Sequence, residues 1–211
     1  MVVPTLNEGR SLPGLLDHLA ALPGRIEVIV ADGHPLAPRV IAATGGRARQ
    51  LNADAEASAG DILIFVHADS RLPVDAHASV VSACVDEGLV GGNFRLEFEG
   101  NDLFARGLSA FYRLCRRFGV YYGDSSIFVR REVFQSLGGL RELPIMDDYD
   151  FARRLERAGP TTCLPGPART SARRWRRAGT ARTVLSWLVI QALYWVGVPA
   201  ARLAPLYRHI R

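Results

Sequence analysis

Apolar positions along the chain switch repeatedly between two periods. Leu12, Leu15, Leu16, Leu19 and Leu22 recur at intervals of three or four residues, one face of a helix that Pro23-Gly24 ends. Short apolar runs at 2–3, 26–31 and 62–66 read as strands, because each is too short for a helix and is bounded by turn residues. A third strand is expected at 39–43, then a helix over 47–58 opened by Gly45-Gly46. After the 62–66 strand the pattern predicts a helix from Pro73 to about 87, a strand near 93–98 and a helix at about 103–117. A short strand at 126–130, a helix at about 148–158 and an apolar segment at 183–199 complete the chain. This βαβα order predicts an α/β fold with a mostly parallel, twisted sheet covered by helices on both faces, followed by an amphipathic helical segment.

Composition narrows the class. With 211 residues and 48% hydrophobic content the chain fits one domain with a sizeable core. Cys84, Cys115 and Cys163 are scattered and odd in number, which gives neither metal spacing nor a disulfide framework; a reducing, cytosolic setting is expected. No basic-then-apolar leader follows Met1, so no signal peptide is expected. All 26 basic residues are Arg, which fits a GC-rich genome better than 26 functional choices. Their placement is uneven: positions 169–211 hold nine Arg and no acid, leaving the rest at −4 against an overall +5. Such asymmetry points to phosphates, a membrane surface or nucleic acid.

Several residues carry candidate chemistry. Asp69, in Phe65-Val66-His67-Ala68-Asp69-Ser70, lies just past an expected central strand, where open α/β sheets bind ligands. Asp32-Gly33 ends another strand at the same rim; each Asp also reads as a turn residue. Gly46-Arg47-Ala48-Arg49 puts two guanidiniums at a helix start, an anion site or a solvated helix end. Asp147-Asp148-Tyr149-Asp150 gathers three carboxylates, stabilised by the helix dipole or crowded so that one has a raised pKa and acts as a general base. Tyr122-Gly123-Asp124 reads as a turn or, facing a cleft, an acceptor site. Six Arg around Trp175 suit diphosphate and a flat ring, and a single aromatic makes a poor nucleic-acid platform. The 17 residues of 183–199 are at the lower limit for a membrane span, and read as an interfacial helix or a core-packing one.

Seven motifs in order then resemble one family. They are Pro4-Thr5-Leu6-Asn7-Glu8, Asp32-Gly33, Gly46-Arg47-Ala48-Arg49-Gln50-Leu51-Asn52-Ala53, His67-Ala68-Asp69, Gly123-Asp124-Ser125-Ser126-Ile127-Phe128-Val129-Arg130-Arg131, Met146-Asp147-Asp148 and Ser171-Ala172-Arg173-Arg174-Trp175. Together they span nearly the whole chain and resemble inverting glycosyltransferases of family 2 with the GT-A fold. The likeness is greatest to a small bacterial subgroup that includes carotenoid-acid (diaponeurosporenoate-type) glycosyltransferases.

The resemblance implies the roles that follow. A nucleoside-diphosphate sugar, UDP-linked by preference, is held by Pro4, Thr5, Asn7, Glu8, Asp32, Arg47, Arg49, Arg173 and Arg174. Mn²⁺ or Mg²⁺ is held by Asp69 and His67, where His67 replaces the first carboxylate of the family's Asp-x-Asp. Gly123, Asp124 and Trp175 face the acceptor. Asp148 is the base that deprotonates an acceptor hydroxyl, with Asp147 supporting it. Ser171 stands where the family has Gln. Only His34 to Pro38 separate Asp32-Gly33 from Arg39, too few for the usual crossover helix, so either the third strand has an abnormal crossover or the sheet lacks it. The expected activity is transfer to a hydroxyl or carboxyl of a lipid-like acceptor, with 1–168 as the transferase domain and 169–211 packing on it or on the inner face of the cell membrane. The rival expectation is a catalytically impaired binding module that docks on anionic membrane through its Arg-rich tail.

Overall fold

The computed structural model describes residues 1–5, 11–32, 40–42, 46–100, 102–171 and 180–208. Strands β1 (Val2–Thr5), β2 (Ile29–Asp32) and β3 (Val40–Ala42) pair in parallel in that order. Strands β4 (Ile62–Ile64), β5 (Ser70–Arg71), β6 (Gly91–Phe98), β7 (Phe128–Arg130) and β8 (Thr161–Thr170) form a second sheet in the order β4-β7-β6-β8-β5. A parallel bridge between Val2 and Phe65, with the Val66 N–H donating to the Val2 carbonyl at 2.9 Å, sets β1 beside β4 and joins the two sheets. The β1–β4 side is therefore parallel, as expected, whereas β7 runs antiparallel to both β4 and β6.

The third strand exists: Val30 pairs with Val40 and Asp32 with Ala42. The crossover from β2 to β3, positions 33–39, lies outside the described residues.

Alternation at period two distributes the core between the two faces. Val3, Ile64, Val66 and Phe128 face one cluster with Leu15, Leu19, Ala76 and Val80. Val2, Leu63, Phe65 and Val129 face the other, with Leu51, Phe134, Phe151 and Leu155. Helices α1 (Leu12–Ala20) and α3 (Ala76–Ala83) thus cover one face, and α2 (Arg47–Ala57), α5 (Arg131–Ser136) and α6 (Asp147–Ala158) the other. Helix α4 (Leu103–Arg117) starts at Asp102, whose carboxylate accepts the Ala105 N–H at 2.8 Å, and packs along β6. Helices α7 (Thr180–Trp195) and α8 (Ala200–Arg208) close a third cluster over Met146 and Tyr149.

Among the strands and α-helices, four lie outside the sequence expectation: β5, α5, β8 and α8. Strand β8 contains Pro165-Gly166-Pro167, a pattern that argues against a strand; it is accommodated where Phe94 pairs with Leu164 but Arg95 with Pro167, a bulge of two residues. All three cysteines are free. No described helix is long and apolar enough to cross a membrane.

Candidate active site

The carboxyl ends of β1 and β4 open on a narrow cleft lined by Pro4, Arg47, His67, Gly123 and Asp148, with Phe65, Ile127, Leu140 and Phe151 as its floor. The Val2–Phe65 bridge fixes this edge, since it brings the residues after both strands to one rim. Register places Thr5 against Asp32 at the ends of β1 and β2. Beyond β4 the chain turns at Ala68-Asp69, and the Ser70 N–H closes the turn on the His67 carbonyl at 3.0 Å.

Arg47, at the start of α2, governs the electrostatics. Its Nε donates to Asp147 Oδ2 at 3.1 Å and its Nη2 to Asp147 Oδ1 at 2.6 Å, a two-pronged pair; Nη2 also lies 3.1 Å from Asp148 Oδ2. Its Nη1 is 3.4 Å from His67 Nε2. Burial works against the charge of Arg47, and the carboxylates of Asp148 and Asp147 overcome it, so its pKa is raised further. The same guanidinium acts on Asp148: burial pushes that carboxyl up, but Arg47, the Gly123 N–H at 2.8 Å, His67 and the Tyr149 N–H together hold it below its ordinary value. The expectation that crowding raises the pKa of this carboxylate is thereby corrected, because its nearest charge is a cation rather than another acid. Burial and then Arg47 lower the pKa of His67, while Asp124, Asp69 and Asp148 pull it the other way.

Backbone geometry aims these groups. Met146 holds φ 64°, ψ 14°, a left-handed conformation that side chains seldom adopt, immediately before Asp147 and Asp148. Gly123 has no room for a side chain: an added Cβ would sit 2.7 Å from His67 Nε2 and 3.1 Å from Asp148 Oδ2. The third acid of the motif is structural, since Asp150 accepts from Arg154 at 2.8 Å and Arg141 at 3.2 Å. Sequence reasoning missed Asn52, which donates to the Leu140 carbonyl at 2.8 Å and accepts its N–H at 2.9 Å, pinning α2 to the wall of the cleft. An Asn five residues after Arg47, within the Gly46 to Ala53 motif, was the available signal.

The expected residues do not all converge. Pro4, Arg47, His67, Gly123 and Asp148 line the cleft, with Asp147 paired behind Arg47 and the charges of Asp69 and Asp124 close enough to act on His67. Arg49 is exposed and pairs with Glu142 at 2.6 Å, away from the cleft lining. Asn7, Glu8, Arg173, Arg174 and Trp175 lie outside the described residues. Among the described residues no three His, Cys, Asp or Glu side chains form a group that holds a metal by themselves. An imidazole nitrogen and a carboxylate oxygen suit a divalent cation that completes its shell from phosphate and water, and His67 and Asp69 fit that demand.

A ladder of rings runs from this site to the C-terminal helices. Tyr122 lies 5.5 Å from Tyr149 and 5.8 Å from Trp187, centroid to centroid, and its hydroxyl donates to Gln191 Oε1. Trp195 Nε1 donates to the Tyr149 hydroxyl at 2.6 Å. The inner side of α7 is therefore core, the packing alternative for 183–199, while its outer side remains exposed and apolar.

Solved structures with the same architecture include glycosyltransferases. The mannosyltransferase PcManGT from Pyrobaculum calidifontis, in complex with GDP-Man and Mn²⁺, superposes with a TM-score of 0.68 at 18% identity over 99% of this chain and 67% of that one. TarS 1–349 from S. aureus gives 0.63 at 14% identity, over 99% and 69%. The chain has the GT-A fold. Glucosyl-3-phosphoglycerate synthase from Mycobacterium tuberculosis, in complex with Mn²⁺, UDP and glucosyl-3-phosphoglycerate, gives 0.56 at 21% identity, over 94% and 79%. No protein-family model and no curated protein matches the sequence.

Proposed function

We propose that the protein is an inverting glycosyltransferase of family 2 that moves a sugar from a nucleoside-diphosphate sugar, UDP-linked by preference, to a hydroxyl or carboxyl of a lipid-like acceptor. The observation that carries this reading is the cleft itself: in a GT-A fold, a largely buried carboxylate, Asp148, stands beside a guanidinium suited to diphosphate and a His-Ala-Asp turn suited to a cation. The subgroup would be the small bacterial one that the motifs resemble.

In this reading Pro4, Thr5, Asn7, Glu8 and Asp32 hold the nucleoside, and Arg47, with Arg173 and Arg174, the diphosphate, whereas Arg49 is engaged by Glu142 outside the cleft. A diphosphate arriving at Arg47 competes with Asp148 for the guanidinium, which leaves the carboxylate free to accept the proton of an acceptor hydroxyl held near Gly123, Asp124 and Trp175. Asp147 keeps Arg47 oriented. His67 and Asp69 would hold Mn²⁺ or Mg²⁺, which when bound neutralises the charge that builds on the leaving diphosphate. The acceptor is lipid-like because α7, tied to the site through Tyr122 and Tyr149, turns Leu185, Leu188, Val189, Trp195 and Val196 outward. That surface fits peripheral contact with an anionic membrane, at the inner face of the cell membrane.

Calorimetric titration of UDP and of GDP in the presence of Mn²⁺, on the native chain and on Asp69→Ala, tests the donor site. Metal-dependent binding that is lost in the variant is the expected result. Absence of binding by both nucleotides would sink the proposal and leave the fold as a membrane-docking module.

A further inference from the structure

We infer that α4 carries a second membrane-docking surface, a stripe of apolar side chains edged by three arginines that seats on the anionic headgroups of a phospholipid bilayer. The inference rests on the membrane-surface reading of α7.

Helix α4 has two unlike sides. Inward, Ala105, Leu108 and Ser109 are buried against Leu96 and Phe98, and Arg116 turns in to donate to Asn93 at 2.6 Å and Thr161 at 2.9 Å. Outward, Leu103 is 85% exposed and Phe118, just past the helix end, 74%, with Leu114 and Phe111 exposed as well. At about 100° per residue these four fall, with Gly107 and Ala110, in one arc of roughly 100°. Arg106, Arg113 and Arg117, all exposed, fall in the adjoining arc of roughly 40°. No acid occurs anywhere from 103 to 118. The core accounts for the inner side alone, and a contiguous exposed apolar stripe of this kind marks an interaction surface.

Charge selects the occupant. Phe and Leu that enter the acyl boundary beside guanidiniums that stay at the phosphates are the arrangement of an interfacial helix. A second copy of the chain meeting this stripe antiparallel, through a two-fold axis that crosses the helices, would set three guanidiniums against three, with no acid on either helix to answer them. The stripe also has a neighbour, since Val184 and Trp187 of α7 pack in the same cluster as Phe104 and Tyr112 of α4. Positions 183–199 hold no basic residue, so this part of α7 supplies apolar contact, and α4 supplies preference for anionic lipid next to it.

Co-sedimentation of the full chain with phosphatidylcholine vesicles, and with vesicles that also contain phosphatidylserine, tests the assignment. Native protein is expected to prefer the anionic vesicles. The triple variant Arg106→Gln, Arg113→Gln, Arg117→Gln is expected to lose about fivefold in partition per arginine on those vesicles only. Leu114→Ser with Phe118→Ser is expected to lose at least about tenfold on both compositions. If both α4 variants bind as native protein does while Leu185→Ser with Leu188→Ser loses binding, the α4 surface is overturned and the α7 reading stands. If native protein ignores both vesicles, both are overturned. A dimer in sedimentation velocity that Phe118→Ser dissolves would give the stripe to a second copy instead.

Discussion

Arg47 bonds Asp147 with two nitrogens and shares one of them with Asp148, so a single guanidinium balances two nearly buried carboxylates. Its removal leaves those acids with no other described cation in an ion pair with them. Arg47 is itself about a third exposed, which screens the pair, so Arg47→Ala is expected to cost about 1–3 kcal/mol rather than the full cost of breaking a buried pair. The pH dependence follows from Asp148. Its folded pKa is depressed, so its stabilisation is present above the unfolded value of about 3.9 and is lost as pH falls through the folded value. Denaturation midpoints of the native chain should therefore fall on acidification below about pH 4. The same scan on Arg47→Ala should be flatter there, and an unchanged acid limb would refute the coupling.

Gly123 lets three groups approach within contact distance. Gly123→Ala pushes a methyl into His67 and Asp148 without demanding an unusual backbone, so the damage should stay local. Overpacking of this kind costs roughly 1–3 kcal/mol. Mn²⁺-dependent UDP or GDP affinity is expected to drop at least about tenfold, the equivalent of some 1.4 kcal/mol, while far-UV circular dichroism stays native. Gly138→Ala is not a fair control because its φ is +70°; Gly107→Ala, with nothing near the new methyl, is, and it should leave binding unchanged.

Most of the scaffold was legible because its strands and helices carry clean periods. Residues 62–66 alternate between two cores, and Leu12 to Leu22 show one face. Strand β8 escaped because Pro165-Gly166-Pro167 breaks a local rule that only the tertiary bulge against β6 repairs. Helix α5 is six residues long, too short for a period to show. At the site, His67, Gly123 and Asp148, singled out from short motifs, come together in one cleft. The sign of the Asp148 shift was not readable, because it depends on Arg47, a hundred positions away, folding back onto the pair.

Asp148 and Asp147 should separate kinetically. In the proposed reaction Asp148 accepts the acceptor proton, and such a base contributes about 10² to 10⁴ in rate. Asp148→Asn keeps the shape and its bond from the Gly123 N–H, so turnover is expected to fall by that factor with donor affinity nearly unchanged. Asp147→Asn loosens Arg47 instead, which should weaken nucleoside-diphosphate binding more than single-turnover chemistry. Rapid-quench turnover beside calorimetric affinity distinguishes the two. Equal loss of affinity in both variants would show that the pair acts only to hold Arg47.

Tyr122 and Gln191 couple the site to the C-terminal helices through one partly buried hydrogen bond, Tyr122 donating to Gln191 Oε1. Tyr122→Phe leaves that oxygen without its donor in a pocket closed by Tyr149 and Trp187, so it should destabilise by about 1–3 kcal/mol. Gln191→Leu strands the Tyr122 hydroxyl in the same way. Together, Tyr122→Phe and Gln191→Leu remove both polar ends, and the double variant should be less destabilised than the sum of the singles by at least about 0.5 kcal/mol. Urea unfolding of all four proteins closes that cycle. Additive losses would mean that α7 is held here by ring packing alone, and that the hydrogen bond does not tie it to the wall beside Gly123.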